Sequence, residues 1–399
     1  MKAAVLRRPG DPLEVVEVEL QGPGPGEVRV RIEAAGVCHS DLHYLTGDLP
    51  CKLPIVPGHE GTGTVVEIGV GVTDVQLGDR VIFTWRPSCG SCEYCTTGTP
   101  ALCPLGATHA QSNGLIRGGT RLTHAGADVH HLMGVSCFAE EAIVSAESLI
   151  AIPKDIPTSI AAIMGCAIIT GVGTVINGMG GAAGESVLII GAGGVGLSAV
   201  MGAAAIGAHP IVVADIDDAK LALATELGAT HVINTREESL SEHLEQIVPG
   251  GVHWSIEAIG RVDTSRDAVD ALRPRGTAFL IGLGSSNSEI QLPLNKLVQQ
   301  EKTVRGSLYG SSNTRVQIPQ LLALYTAGHL PLEALLGPEF NLDQINTAFD
   351  SLKAGLVGRA VIRMDQSLET EEVTRGAHKR QDPKNLEVVA SGISHMRGV

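Results

Sequence analysis

The chain has 399 residues, enough for about two or three domains around a large buried core; its 29 Lys and Arg stand against 43 Asp and Glu, a formal charge of -14. That acidity repels a phosphate backbone and anionic lipid, so nucleic acid and membrane are excluded as partners. Glycine supplies 49 of the 399 residues, above the usual share of about 7%, whereas aromatics are 3% and charged residues 18%. Such a mix suits an α/β protein rich in tight turns and not a disordered chain.

Along the chain, the apolar start Ala3 to Leu6 halts at Arg7 and Arg8, which leaves no secretory core segment and points to a cytoplasmic protein. Val28 to Glu33 alternates with period two, and Gly61 to Ile68 and Arg80 to Phe83 look similar, so the first 85 residues predict a β-rich lobe. Four cysteines then crowd one Gly-punctuated segment as Cys89-x2-Cys92-x2-Cys95-x7-Cys103. In a cytoplasmic chain that spacing matches a closed tetrahedral zinc site, which holds a loop together and does no chemistry. A zinc-ribbon nucleic-acid binder uses the same spacing, but the net charge argues against it.

Pro157 to Gly184 and Val187 to Ala214 contain no charged residue. Their glycines predict that each breaks into strand, turn and buried helix and does not span a membrane. From Val187 the rhythm is strand then helix: Val187 to Ile190, a helix from about Val195 to Ile206, Ile211 to Ala214, a helix from Asp217 to Leu227 closed by Gly228, then Val232-Ile233. This predicts a doubly wound parallel sheet. It continues through Ile256 and Ala278 to Ile281 and loosens around Gly282 to Ser286. Beyond Met364 the chain turns polar, which predicts a mobile or surface tail, with one apolar patch at Leu386 to Ala390.

Gly191-Ala192-Gly193-Gly194-Val195-Gly196 follows an apolar strand and opens an Ala-rich helix, the context in which G-x-G-x-x-G signals a dinucleotide. Gly191 permits the turn, Gly193 admits the pyrophosphate to the backbone, Gly196 allows close helix packing, and Gly194 and Val195 begin the helix whose N-terminus faces phosphate. Asp215, at the end of the next strand, is placed for the adenosine ribose hydroxyls and against a 2'-phosphate, favouring NAD over NADP. A helix N-cap is the other reading of Asp215. Lys220 is a second candidate ribose contact.

Cys38, His59 and Cys166 stand in apolar or turn contexts. Two thiolates and an imidazole, with a fourth position for water or substrate, would make a catalytic zinc site. Taken singly, each is more often a core residue, and spacing alone does not bring residues 38, 59 and 166 together.

Gly36-Val37-Cys38-His39-Ser40-Asp41-Leu42-His43, Gly58-His59-Glu60-Gly61, the four-cysteine loop, Met164-Gly165-Cys166 and Gly191 to Gly196 occur in an order that resembles the zinc-containing alcohol dehydrogenases of the medium-chain dehydrogenase/reductase superfamily. The match runs over roughly residues 1 to 364. The resemblance implies a GroES-like catalytic domain at 1–167, a Rossmann domain at 168–308, a return to the catalytic domain at 309–364, and a tail at 365–399. It implies two zinc ions per subunit: a catalytic one at Cys38, His59 and Cys166, with Glu60 a nearby or occasional ligand and Asp41 in support, and a structural one at Cys89, Cys92, Cys95 and Cys103. Cys51 and Cys137 are left to core packing.

Zinc as a Lewis acid lowers the pKa of bound water from about 15.7 to about 7, and an alcohol hydroxyl would likewise give up its proton more readily. Ser40 has a hydroxyl that both donates and accepts, and His43 accepts a proton at neutral pH. By resemblance the relay runs from hydroxyl through the nicotinamide ribose to histidine. His39 matches a position that holds a basic residue against the cofactor pyrophosphate, and Arg359 resembles a second phosphate-binding arginine. The expected reaction is a primary alcohol plus NAD to aldehyde plus NADH.

The long segment between Pro104 and Val135 resembles the liver-type and glutathione-dependent formaldehyde dehydrogenase branch, whose members are commonly dimers; a homodimer is expected, with a homotetramer as the alternative. Pro104 to Ala107 lacks the basic residue which that formaldehyde branch uses to hold a thiol-adduct carboxylate. Oxidation of such an adduct therefore ranks second. Trp85 matches a pocket-lining position whose bulk favours primary over secondary alcohols, aromatic or medium-chain ones above all. A diol or secondary-alcohol dehydrogenase, and a non-catalytic zinc- and NAD-binding protein, are the remaining readings.

Overall fold

In the computed structural model, residues 1–285 and 287–364 are described. The polar tail expected at 365–399 and its Leu386 to Ala390 patch lie outside them.

Glu27–Gly36, buried along most of its length, is the spine of a seven-stranded sheet. It pairs antiparallel with Gly61–Ile68 along one edge. Its other edge takes Glu141–Ser145 and, beside Gly36, Arg359–Arg363. Arg80–Phe83 and Leu149–Ile152 extend the sheet, and Leu336–Asn341 pairs parallel with Arg359–Arg363. The last strand thus brings residues near 360 beside Cys38, across more than three hundred residues of chain.

The second sheet has six parallel strands in the order His231–Asn234, Ile211–Asp215, Val187–Ile190, Val252–Glu257, Leu272–Leu280, Thr303–Gly306. Val187–Ile190 is buried throughout because helices cover both faces, which is why the strand reads as an unbroken apolar run. Strand order reverses between Val187–Ile190 and Val252–Glu257, and the crevice beyond their carboxyl ends is where such sheets bind ligands. The expected helices run Gly194–Ala205 and Asp218–Glu226, the second capped by the Asp217 carboxylate, which accepts from the Ala219 and Lys220 N–H groups.

One expectation fails. Pro157 to Gly184 does not break into strand and turn: Thr158–Ile163, a π-helical turn at Met164–Ile168 and Ile169–Gly178 form 21 continuous helical residues. The glycines permit close contact and do not interrupt. A Cβ on Gly171 would overlap the Val195 carbonyl, and one on Gly202 would stand 3.1 Å from Val172 Cα; packing here overrides glycine's poor helix propensity. The helix is long and apolar enough to cross a membrane, but 94% of its most apolar 18-residue stretch is buried inside the protein. The segment after Pro104 is also ordered, as a helix at Pro104–Ser112 and a hairpin of Leu122–His124 with Ala127–His131.

Candidate active site

Cys38, His59 and Cys166 converge, with ligand atoms all within 4.8 Å of one another and all three residues buried. Each arrives from a different element. Cys38 caps the helix His39–Thr46 just past the spine strand, its sulfur accepting from Ser40 N–H at 3.4 Å. His59 lies in the turn before Gly61–Ile68, and Cys166 in the π-helical turn, a distortion frequent at functional sites. The His59 Nδ1–H donates to Asp41 Oδ1 at 2.9 Å, leaving Nε2 directed at Cys166 Sγ at 3.3 Å. Asp41 also accepts from Gly58 N–H at 3.1 Å. A buried carboxylate behind a histidine fixes its tautomer and raises its basicity as a ligand.

Glu60, counted above with the metal residues, is not among the converging ligands. Its carboxylate accepts from Arg359 Nε at 2.8 Å and from Nη2, and from Ala167 N–H at 3.2 Å. Both arginine N–H groups converge on Oε1 while Oε2 takes the Ala167 N–H, so each carboxylate oxygen is engaged by a charge-assisted or backbone donor. Arg359 is 5% exposed and reaches both ways: it grips Glu60, and its stem and Nη1 would stand 3.3 Å from a Cβ on Gly194.

The charges fit a shared anionic centre. The hydrogen bond from Cys166 holds the Cys38 thiol well below the ordinary range, against burial and aided by Arg359 and His59. The same bond, with burial, pushes Cys166 up. Burial raises Glu60 to about 7 despite Arg359.

Cys89, Cys92, Cys95 and Cys103 form a second cluster. Their sulfurs lie 3.5 Å (Cys92 to Cys95), 3.8 Å (Cys92 to Cys103) and 3.9 Å (Cys89 to Cys95) apart. A tetrahedron with Zn–S bonds of about 2.3 Å has edges of about 3.8 Å, so the donor set fits zinc. Cys137 is fully buried in the core of the first lobe, and Cys51 packs against that core.

At the glycine motif, Gly191 has φ +100, open space surrounds Gly193, and a Cβ on Gly196 would overlap the Gly191 carbonyl. These are the backbone features a tight turn and close helix packing require. Asp215 is not the N-cap; Asp217 is. Asp215 Oδ2 accepts from Ala192 N–H at 2.7 Å and Oδ1 from Ile216 N–H at 2.7 Å, so it also braces the glycine turn. His39 is pushed down by burial, with Arg359 and Lys220 adding repulsion against the pull of Cys38.

A cavity of about 510 Å³ joins these parts, with Cys38, Ser40, His43, Trp85, Cys166 and Val195 on its wall. Sequence reasoning missed Tyr309. It lies in the connection after the last parallel strand with φ +55, and its buried hydroxyl donates to the Gly165 carbonyl. Its ring packs on Trp85 with centroids 4.7 Å apart. Nothing in its sequence context marks it; only the chain's path to the π-helical turn does.

Two family models match: the alcohol dehydrogenase GroES-like domain over residues 24–154 and the zinc-binding dehydrogenase domain over residues 194–327. The chain is 36% identical to the NDMA-dependent alcohol dehydrogenase of Amycolatopsis methanolica, covering 90% of this chain and 98% of that one. It is 37% identical to an S-(hydroxymethyl)glutathione dehydrogenase of Escherichia coli, over 91% and 99% respectively. Among solved structures, the benzyl alcohol dehydrogenase of Acinetobacter calcoaceticus superposes with a TM-score of 0.86 at 33% identity, covering 91% of this chain and 99% of that one. Both domains, in this order and over this length, make the chain an oxidoreductase of the zinc-containing alcohol dehydrogenase family within the medium-chain dehydrogenase/reductase superfamily.

Proposed function

We propose that the protein oxidises primary alcohols, aromatic or medium-chain ones foremost, to aldehydes with NAD, and runs the reverse reduction. The observation that carries this reading is the convergence of Cys38, His59 and Cys166 on a cavity that Val195 of the glycine motif also lines. Cys38, His59 and Cys166 would hold one zinc per chain and Cys89, Cys92, Cys95 and Cys103 a second. When bound, zinc supplies a Lewis acid that acidifies the alcohol hydroxyl, and the nicotinamide supplies the hydride acceptor.

The chain's own residues do the rest. Asp41 orients His59, and Arg359 with Glu60 backs the thiolates. Ser40 and His43, three apart on one helix, face the cavity together. Ser40 Oγ is the acceptor nearest Cys38 in sequence for the substrate proton, and His43, 29% exposed in its side chain, is where the proton meets water. Trp85 and Tyr309 wall the cavity with flat apolar surface that suits an uncharged aromatic or alkyl chain. Asp215, Lys220, His39 and the glycines from Gly191 to Gly196 would hold NAD.

The second reading, oxidation of an S-hydroxymethyl thiol adduct, has one observation in its favour: Arg305 is the permanently charged residue among those lining the cavity. It lies over the Phe279 ring at 5.8 Å, and Pro104 to Ala107, just after Cys103, carry no cation. For assembly we propose a cytoplasmic homodimer, supported by the open sheet edge at Thr303–Gly306 and by exposed Leu294 and Val298 just before it. The test is zinc content together with NADH absorbance on benzyl alcohol, 1-hexanol, a secondary alcohol and S-hydroxymethylglutathione. Turnover of the first two with two zinc per chain supports the reading; turnover of the adduct alone moves it to the second.

A further inference from the structure

We propose that Asp48 is the positioning residue of the proton exit: it holds His43 in the tautomer and rotamer that leave Nε2 unprotonated and turned to the cavity. This deepens the role given to His43 above and rests on that reading.

The helix His39–Thr46 ends on Gly47, whose φ of +88 turns the chain back so that Leu49 N–H donates to the His43 carbonyl at 3.1 Å. The reversal delivers Asp48, which does not itself line the cavity, to His43. Asp48 Oδ2 stands 3.2 Å from His43 Nδ1 and accepts from Thr46 Oγ1 at 2.8 Å. An ionised carboxylate only accepts, so Nδ1 must carry the hydrogen. In the neutral ring Nε2 is then the acceptor, and His43 lines the cavity. Thr46 keeps the carboxylate from swinging into water, and the Thr46 and His43 hydrogen bonds hold Asp48 below the usual carboxylate range.

Folding does not account for the arrangement. The Asp48 side chain is 52% exposed, and pairs so exposed contribute little to stability. A base that takes a proton from the cavity side and releases it to water needs its acceptor nitrogen fixed inward. A carboxylate behind it does that without blocking the outward path.

The test is a double-mutant cycle on the zinc-loaded, full-length enzyme: wild type, His43→Gln, Asp48→Ala and the double variant. It is read as the single-turnover rate of NADH formation, because product release often limits the steady state. His43→Gln should lower that rate about tenfold or more. Asp48→Ala should lower it about fivefold with KM for NAD unchanged, and Asp48→Asn less, since the amide oxygen still accepts from Nδ1–H. In the His43→Gln background Asp48→Ala should have no further effect. Added imidazole should restore both single variants, which a purely structural defect would not permit.

An equal fivefold loss in both backgrounds, or no loss on Asp48→Ala while His43→Gln is slow, overturns the role of Asp48 and leaves that of His43. A His43→Gln enzyme as fast as wild type overturns both. If Asp48→Ala loses zinc, Asp48→Leu, which likewise has no side-chain acceptor, carries the same comparison.

Discussion

Two histidines in the segment after the four-cysteine loop should make the fold sensitive to mild acid. His109, on Pro104–Ser112, is 1% exposed with neither ring nitrogen paired, and His131 is fully buried with Nδ1 unpaired. His131 Nε2 accepts from Arg121 N–H at 3.3 Å. Burial, slightly opposed by Glu147, pushes His109 down to about 4; burial and the nearby His109, His130 and Arg121 push His131 to about 3. Both rings are therefore neutral when folded, whereas the unfolded chain takes up protons below about pH 6.5. The folded pKa is the lower one, so stability is complete above about pH 6.5 and falls as the pH drops toward 4. At pH 5 the gap is about 1.5 units at about 1.36 kcal/mol each, or about 2 kcal/mol per ring and about 4 kcal/mol for both. The assay is urea unfolding at pH 7.5 and pH 5 of wild type and of His109→Leu/His131→Asn, in which loss of zinc in acid is common to both proteins. Wild type should lose about 4 kcal/mol more than the variant across that interval. Equal losses would refute the reasoning.

Three further outcomes follow from the site. Trp85→Ala, which removes the ring packed on Tyr309 and opens the cavity, should raise kcat/KM for secondary relative to primary alcohols about tenfold, while Trp85→Phe keeps the wild-type order. Cys103→Ser should reduce zinc from two to one per chain and lower Tm, with the surviving folded enzyme still forming NADH, because the four-cysteine cluster is separate from the reactive one. Asp215→Ala removes the acceptor of Ala192 N–H as well as the charge; KM for NAD should rise about tenfold and the preference for NAD over NADP should shrink, as measured by initial rates with each cofactor.

The local parts of this enzyme were legible because their physics is local. The Gly191 to Gly196 turn needs positive φ at its first glycine and bare Cα atoms at the others, and four cysteines within fifteen residues can reach one ion without help from the fold. The catalytic trio was legible only by resemblance, since a π-helical turn, a strand end and a loop meet through tertiary packing that no spacing encodes. Two other features share that cause. The glycines of the 158–178 helix look like breakers in sequence and prove to be close-contact points: Gly171 against the Gly194–Ala205 helix, Gly165 against the Phe83 carbonyl, Gly173 against Gly310 and Ser312, and Gly178 against the Phe279 ring. Glu60, expected as a near partner or occasional ligand, has its carboxylate held by Arg359, 299 residues later. Tyr309 and Asp48 went unread for the same reason: their contacts are made only by the folded chain.

The most direct test of the central claim is zinc per chain, by mass spectrometry, on wild type and Cys166→Ser, with NADH formation from benzyl alcohol followed in the same samples. The account predicts two zinc and turnover for wild type, and one zinc, intact folding and no turnover for Cys166→Ser. Two zinc retained in an active Cys166→Ser enzyme would contradict it.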